Sequence, residues 1–258
     1  MPIHLRQVCL VAEKLEPCRR DIEAVFRTPV CHRDPEVATF GLENALFALG
    51  SQFLEVVAPT QPGTAAGRFL ERKGGDGGYM VICQAPTLEE QAQLRARAAD
   101  NQVRVAYESD RGTWNIMQLH PRDMEAAFLE VDWDQQADMT GNWQPAGGLA
   151  WTGMGRNESV RGIVGLELSG NDPQRLAQHW SRVLGEPVQV HNGLPAIELA
   201  NAVLRFSKGD TASGQGLTGV DVNVADPCDI LARAKASGLP TGPDGFRLCG
   251  VTFNCMPA

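Results

Sequence analysis

Apolar positions along this chain alternate between two periods in a fixed order. Gln7 to Ala12 (QVCLVA) is short, apolar and rich in Val and Leu, and reads as a strand. In residues 14–27 (KLEPCRRDIEAVFR), Cys18, Ile22, Val25 and Phe26 fall at helical spacing, which predicts an amphipathic helix closed before Pro29. Strands are then expected around 36–42, at ALFALG (45–50) and at QFLEVVAP (52–59), with Gly50–Ser51 as a hairpin turn between the last two. The order is β-α-β-β-β.

The stretch 60–78 reads as a loop ending in GGDGG. It lacks the Lys-Ser/Thr of a phosphate loop and does not lead straight into a helix, so a flexible connection is expected there. The order then restarts. Tyr79 to Gln84 is a strand, and residues 87–101 are a helix with Thr87 and Glu90 spaced as a capping box. VRVAYES (103–109), TWNIMQLH (113–120) and AAFLEVDW (126–133) are three further strands. The Gly-rich, aperiodic residues 134–160 read as a linker.

Beyond it the pattern returns twice in abbreviated form. GIVGLELS (162–169), a helix from Asp172 stopped by Gly185, AIELA (196–200) and AVLRFS (202–207) make a third unit. VDVNVA (220–225), a helix over 227–237 with Gly238 as its C-cap, and FRLCGVTFNC make a fourth. Four repeats in two pairs predict an α+β chain of two tandem domains, 1–137 and 161–258, joined by a linker at 138–160.

A length of 258 residues suits two domains of about 130 residues each. The net charge of −8 argues against nucleic acid or an anionic membrane as a partner. No apolar run approaches the roughly 20 residues a membrane helix needs, and the first residues lack the features of a signal peptide. The seven cysteines include no C-x-x-C pair, and several lie in apolar runs. They read as buried free thiols of a cytoplasmic protein, with nothing in their spacing to support a zinc site or redox pair.

Candidate chemistry lies where charge interrupts apolar strands. Glu55 shares a strand face with Phe53 and Val57, and Glu130 shares one with Phe128 and Asp132. Each sits in the last strand of its β-α-β-β-β unit. Two readings stay open: both carboxylates lie on solvated sheet faces, or both turn inward and face one another across paired units. Gln7 is a further polar residue on an apolar strand.

The element order, the opening strand QVCLVA, the FLEVVAP strand and the run HPRDMEAAFLEVDW resemble the vicinal oxygen chelate superfamily. That group includes glyoxalase I, methylmalonyl-CoA epimerase, extradiol dioxygenases and bleomycin-resistance proteins. The resemblance implies paired βαβββ modules forming a curved mixed sheet, a cup with helices outside, around a divalent metal (Mg, Mn, Ni or Zn). Its ligand positions fall on Gln7, Glu55, Tyr79 and Glu130, with Tyr where the family usually offers His. It implies Gln7, Glu55 and Glu130 as metal ligands, Glu130 and Glu55 as acid and base, and Tyr79 and His120 against the substrate. In the second domain the matching positions are Ile163, Arg205, Gly219 and Asn254, which build no metal set; Arg205 reads either as a clamp for an anionic group or as a surface or salt-bridged residue. Three functions follow: a lyase or isomerase moving a proton beside a carbonyl, a metal-free binder of a small molecule, or a scaffold. An extradiol dioxygenase, whose iron takes two His and a carboxylate, fits less well. The chain would act as a monomer or homodimer.

Overall fold

A computed structural model describes residues 3–154, 158–209 and 215–258. The first module is β1 (His4–Val11), α1 (Leu15–Phe26), β2 (Val30–His32), β3 (Leu42–Leu49) and β4 (Gln52–Pro59). Helix α1 forms where expected and buries Leu15, Cys18, Ile22, Val25 and Phe26 along one face. Arg27, in the left-handed region at φ 52°, closes it. The strand expected around 36–42 is instead a 3-10 helix over Pro35–Phe40. Asp34 caps it by accepting from the Glu36 N–H, Pro35 supplies the fixed φ of a first turn, and Gly41 ends it at φ 69°. The strand lies earlier, at Val30–His32.

The loop expected over 60–78 is also corrected. Ala65–Lys73 is a helix, α2. Thr64 caps it by accepting from Gly67 N, and Gly74 closes it at φ 77°. Only Ala66 and Leu70 are buried, too few apolar positions to reveal a helical period. The GGDGG run therefore closes one helix and opens the next strand.

The second module is β5 (Gly77–Gln84), α3 (Leu88–Asp100), β6 (Val105–Asp110), β7 (Trp114–Leu119), the short helix α4 (Pro121–Met124) and β8 (Phe128–Asp134). The Thr87 cap forms as predicted, with Oγ1 accepting from Glu90 N at 3.1 Å. In the segment expected as linker, short 3-10 helices occupy Gln144–Ala146 and Ala150–Met154. Residues 155–157 of that segment lie outside the described residues.

The third module is β9 (Val160–Gly170), α5 (Pro173–Leu184), β10 (Val188–His191), β11 (Leu194–Glu198) and β12 (Val203–Lys208). Strand β10 escapes the apolar pattern because it is an edge strand with Val190 78% exposed. The fourth module is β13 (Gly216–Val224), α6 (Pro227–Ala236), β14 (Gly245–Leu248) and β15 (Val251–Pro257). Its helix caps on Ser237 in the right-handed region, and Gly238 follows at φ 79°.

The strands form two open mixed sheets, ordered β2-β3-β4-β1-β5-β8-β7-β6 and β10-β11-β12-β9-β13-β15-β14. This is the expected α+β architecture, with modules one and two in the first sheet and three and four in the second. Packing divides the chain differently, into two compact units that cut through β1, β5, β9 and β13. One comprises Met1–Gln7, Tyr79–Met139 and Gly165–Thr218; the other comprises Val8–Gly78, Thr140–Val164 and Gly219–Ala258.

In the first unit the C-terminus of α5 is closed by an arginine from α3. Arg97 donates to the Val183 and Leu184 carbonyls at 3.0 and 2.8 Å. Trp180 is fully buried, and its indole N–H donates to Met124 O at 2.9 Å. In the second unit Arg233 of α6 donates to Val25 O of α1 at 2.7 Å, and Phe26 packs tilted against both Phe246 and Phe253. A cation placed on the last carbonyls of a helix satisfies acceptors the helix leaves open and opposes its dipole.

Most cysteines are buried thiols, as expected, but Cys228 is exposed and Cys249 half-buried.

Candidate active site

Strand β8, FLEVDWD, is enclosed on both faces. Leu129 and Val131 are fully buried on one face. The other carries Glu130, Asp132 and Asp134, which are 4%, 1% and 3% exposed. Three carboxyl groups in a row on a buried strand face are costly unless each is hydrogen-bonded, neutralised or paired. Each is supported differently.

Glu130 stands opposite Gln118 across the β7–β8 pair, and the Gln118 side chain donates to its Oε2 at 2.6 Å. Asp132 accepts from the Met117 N–H at 3.4 Å. Its pKa is raised well above the usual carboxyl range, first by burial and then by the Glu130 charge and a hydrogen bond with Glu130. Asp134 accepts from Gln84 at 3.0 Å and from the Gln136 and Ala137 N–H groups. Burial raises its pKa too, opposed by those backbone donors and by Arg6.

Arg6 is fully buried, donating to Gln84 Oε1 at 2.5 Å and to the Asp138 carbonyl at 2.6 Å. Burial lowers its pKa to about 10, while Asp138 and Asp134 act the other way. Next to it, Gln7 is 3% exposed. The strand carrying Gln7 lies in the sheet between those carrying Glu55 and Tyr79. Tyr79 is buried with its ring 4.9 Å from that of Phe128.

Glu55 lies in the second unit and is 6% exposed. Asn44 Nδ2 donates to its Oε1 at 2.7 Å, and Asn44 Oδ1 in turn accepts from Asp34 N at 2.9 Å. Both glutamates singled out by sequence are therefore buried and oriented by a neighbouring carboxamide, which rules out the solvated-face reading for each.

His120 caps α4, its Nδ1 accepting from the Arg122 N–H at 3.3 Å and lying 3.9 Å from Asp123 Oδ1. Its place is a partly exposed turn. In the second sheet Arg205 stands in register with Glu167, whose carboxylate accepts from Ser207 at 2.6 Å. Ile163 is fully buried, and Asn254 donates to the buried carboxylate of Asp221 at 2.8 Å.

Asp132, Asp134 and the carboxamides Gln118, Gln84 and Asn44 were not singled out by sequence. A signal for the acids was present: E-V-D-W-D places carboxylates at every second position inside an otherwise apolar strand. The carboxamides carry no such signal, because their importance comes from cross-strand register.

Two mixed sheets built from four modules of this order are the architecture of the vicinal oxygen chelate superfamily. The sequence profile of the glyoxalase-like domain family matches residues 10–184, more than half of the chain, and the chain belongs to that family. Among solved structures, a Mn(II)-bound glyoxalase from Novosphingobium aromaticivorans is similar at a TM-score of 0.70 and 14% identity, over 99% of this chain and 82% of that one. A hypothetical protein from Staphylococcus aureus is similar at 0.67 and 11%, over the whole of both chains. A methylmalonyl-CoA epimerase from Streptomyces coelicolor matches at 0.44 and 21%, over 52% of this chain and 96% of that one. No curated protein matches the sequence at a significant level. Among the described residues no helix is long and apolar enough to cross a membrane.

Proposed function

We propose that this chain is a metal-assisted lyase or isomerase of the glyoxalase and epimerase kind, moving a proton at the carbon beside a carbonyl of a small metabolite. The observation that supports it best is the pair of buried glutamates, Glu55 and Glu130, each held by one carboxamide hydrogen bond at 2.6–2.7 Å. A carboxylate kept inside an apolar strand and fixed in orientation is suited to proton transfer or to ligation of a cation.

By the superfamily resemblance Gln7, Glu55 and Glu130 would hold a divalent metal, and three oxygen donors without imidazole favour a hard ion such as Mn²⁺ or Mg²⁺ over Zn²⁺. When bound, such an ion supplies Lewis-acid polarisation of the substrate carbonyl. Glu130 or Glu55 takes the proton from the adjacent carbon and returns it. Gln118 and Asn44 fix the two carboxylates, so neither must reorient during transfer. Tyr79 and His120 would contact the substrate. The acidic chain would act on a small molecule in the cytoplasm, as a monomer or homodimer, without nucleic acid or membrane.

The test is solvent-deuterium exchange into a panel of 2-oxo acids, α-hydroxyketones and acyl thioesters, with Mn²⁺ or Mg²⁺ present. The expected result is exchange at the carbon next to the carbonyl, reduced about 10²–10⁴-fold in Glu130→Gln. Exchange undiminished in both Glu130→Gln and Glu55→Gln would refute the proposal.

One observation favours a second reading, a metal-free binding protein: Tyr79, packed against Phe128, stands where relatives of this superfamily usually offer an imidazole. Ligand-induced thermal stabilisation that is indifferent to chelator and to both glutamate variants would select it.

A further inference from the structure

The second compact unit gathers two thiols and a carboxylate from distant parts of the chain. Cys18 comes from the first turn of α1, Asp76 from the GGDGG run after α2, and Cys249 from the turn between β14 and β15. One potential ligand atom of each lies within 4.8 Å of the others. Cys18 Sγ stands 3.7 Å from Asp76 Oδ2. In a tetrahedral zinc site, Zn–S of about 2.3 Å and Zn–O of about 2.0 Å put sulfur and oxygen roughly 3.5 Å apart. That pair is already near ligating separation.

The backbone at Cys249 makes the arrangement informative. Leu248 pairs with Val251, so Cys249 and Gly250 form a two-residue hairpin turn. Both have positive φ, at 47° and 72°. Such turns select Asn, Asp or Gly at the first position, because other residues crowd their own backbone there. Cysteine is a poor choice for the turn, and strained positions of this kind concentrate at functional sites. The second position fits its role: a Cβ on Gly250 would come within 2.0 Å of the Asp76 carbonyl oxygen. The turn is thus pressed against the loop that carries the third group. Asp76 is fixed in turn by the Glu13 N–H, which donates to Oδ1 at 2.8 Å and leaves Oδ2 beside Cys18.

We propose that Cys18, Asp76 and Cys249 form a binding site for a thiophilic divalent cation of the zinc class, with a fourth position open to water. The donor types agree, because thiolate and carboxylate bind such a cation and its uptake releases the thiol protons. Neither the chain separation of the cysteines nor any motif announces the site, since residues 18, 76 and 249 meet only in the folded unit.

The test uses the full chain, reduced with a phosphine, titrated with Co²⁺ and Cd²⁺. Wild type should bind one equivalent with a sulfur-to-metal charge-transfer band and a higher melting temperature. Cys249→Asn suits the left-handed turn, so it should melt at or above wild type without metal, yet lose the band and bind at least 100-fold more weakly. Cys18→Ser should lose the band as well, and Asp76→Asn should weaken binding while keeping it. The all-oxygen set proposed above gives no sulfur band, so Glu130→Gln should leave this signal unchanged. Absence of a band in reduced wild type, or its persistence in Cys249→Asn or Cys18→Ser, would overturn the site.

Discussion

Two parallel strand pairs hold corresponding places in the two sheets: β5 with β8, and β13 with β15. They solve the same problem oppositely. In β13–β15 the buried carboxylate of Asp221 stands across from Asn254, whose amide donates to it at 2.8 Å. The charge is satisfied and the pair is closed. In β5–β8 the strand carries Glu130, Asp132 and Asp134 on one buried face; Gln118 and Gln84 serve the outer two, but Asp132 has the Glu130 carboxyl beside it rather than an amide side chain. An arrangement that keeps like charges together inside a core is poor for stability and is the kind functional sites retain. Within one chain, one pair closes its carboxylate with an amide and the other keeps the carboxyl cluster on which the proposed function rests.

Exchanging the two solutions should break the comparison most sharply. Asn254→Asp removes the donor from Asp221 and sets a second carboxylate beside it, so it should cost about 3 kcal/mol. Glu130→Gln removes a charge from beside Asp132 and keeps an acceptor for Gln118, so it should leave stability within about 1 kcal/mol of wild type. Urea denaturation with unchanged slopes measures both, and equal losses would erase the proposed distinction.

The helix-closing arginines offer a smaller effect. Arg97 serves two carbonyls of α5 and Arg233 one carbonyl of α1. Arg97→Met should therefore lose about 2 kcal/mol and Arg233→Met about 1 kcal/mol. A reversed order in thermal unfolding would show that something other than the carbonyls sets these contributions.

The smallest expected effect is a pH dependence. The hydrogen bond from Arg104 holds the Asp123 carboxyl down at about 2. Its unfolded value is about 3.9, so the stabilisation is present above that pH and fades as pH falls through about 2. Arg104 is largely exposed, so solvent screening keeps the contribution small. Asp123→Asn should melt slightly below wild type at pH 5 and coincide with it near pH 2; a gap that widens toward low pH would contradict this assignment.

How much of this was legible beforehand depended on the physics each residue uses. Periodicity located α1 and α5, a capping box located α3, and apolar runs located most strands, because burial writes its pattern directly into sequence. Elements held by caps rather than by burial escaped. Asp34–Pro35 started a 3-10 helix where a strand was expected, and Thr64 with Gly74 enclosed a helix inside an apparent loop. Glu55 and Glu130 were visible as charges in apolar strands, and their burial followed. Their partners Asn44 and Gln118 were not, since an amide signals its role only through register. The meeting of Cys18, Asp76 and Cys249 was least visible, because long chain separations leave no local trace.

The central claim is that the buried glutamates serve a bound cation. Manganese binding followed by electron paramagnetic resonance tests it directly. Wild type should take up Mn²⁺ with the free-ion signal falling in proportion, while Glu130→Gln and Glu55→Gln each leave the ion at least tenfold more weakly bound. Mn²⁺ uptake that is equal in all three proteins, or absent from wild type, would contradict the account.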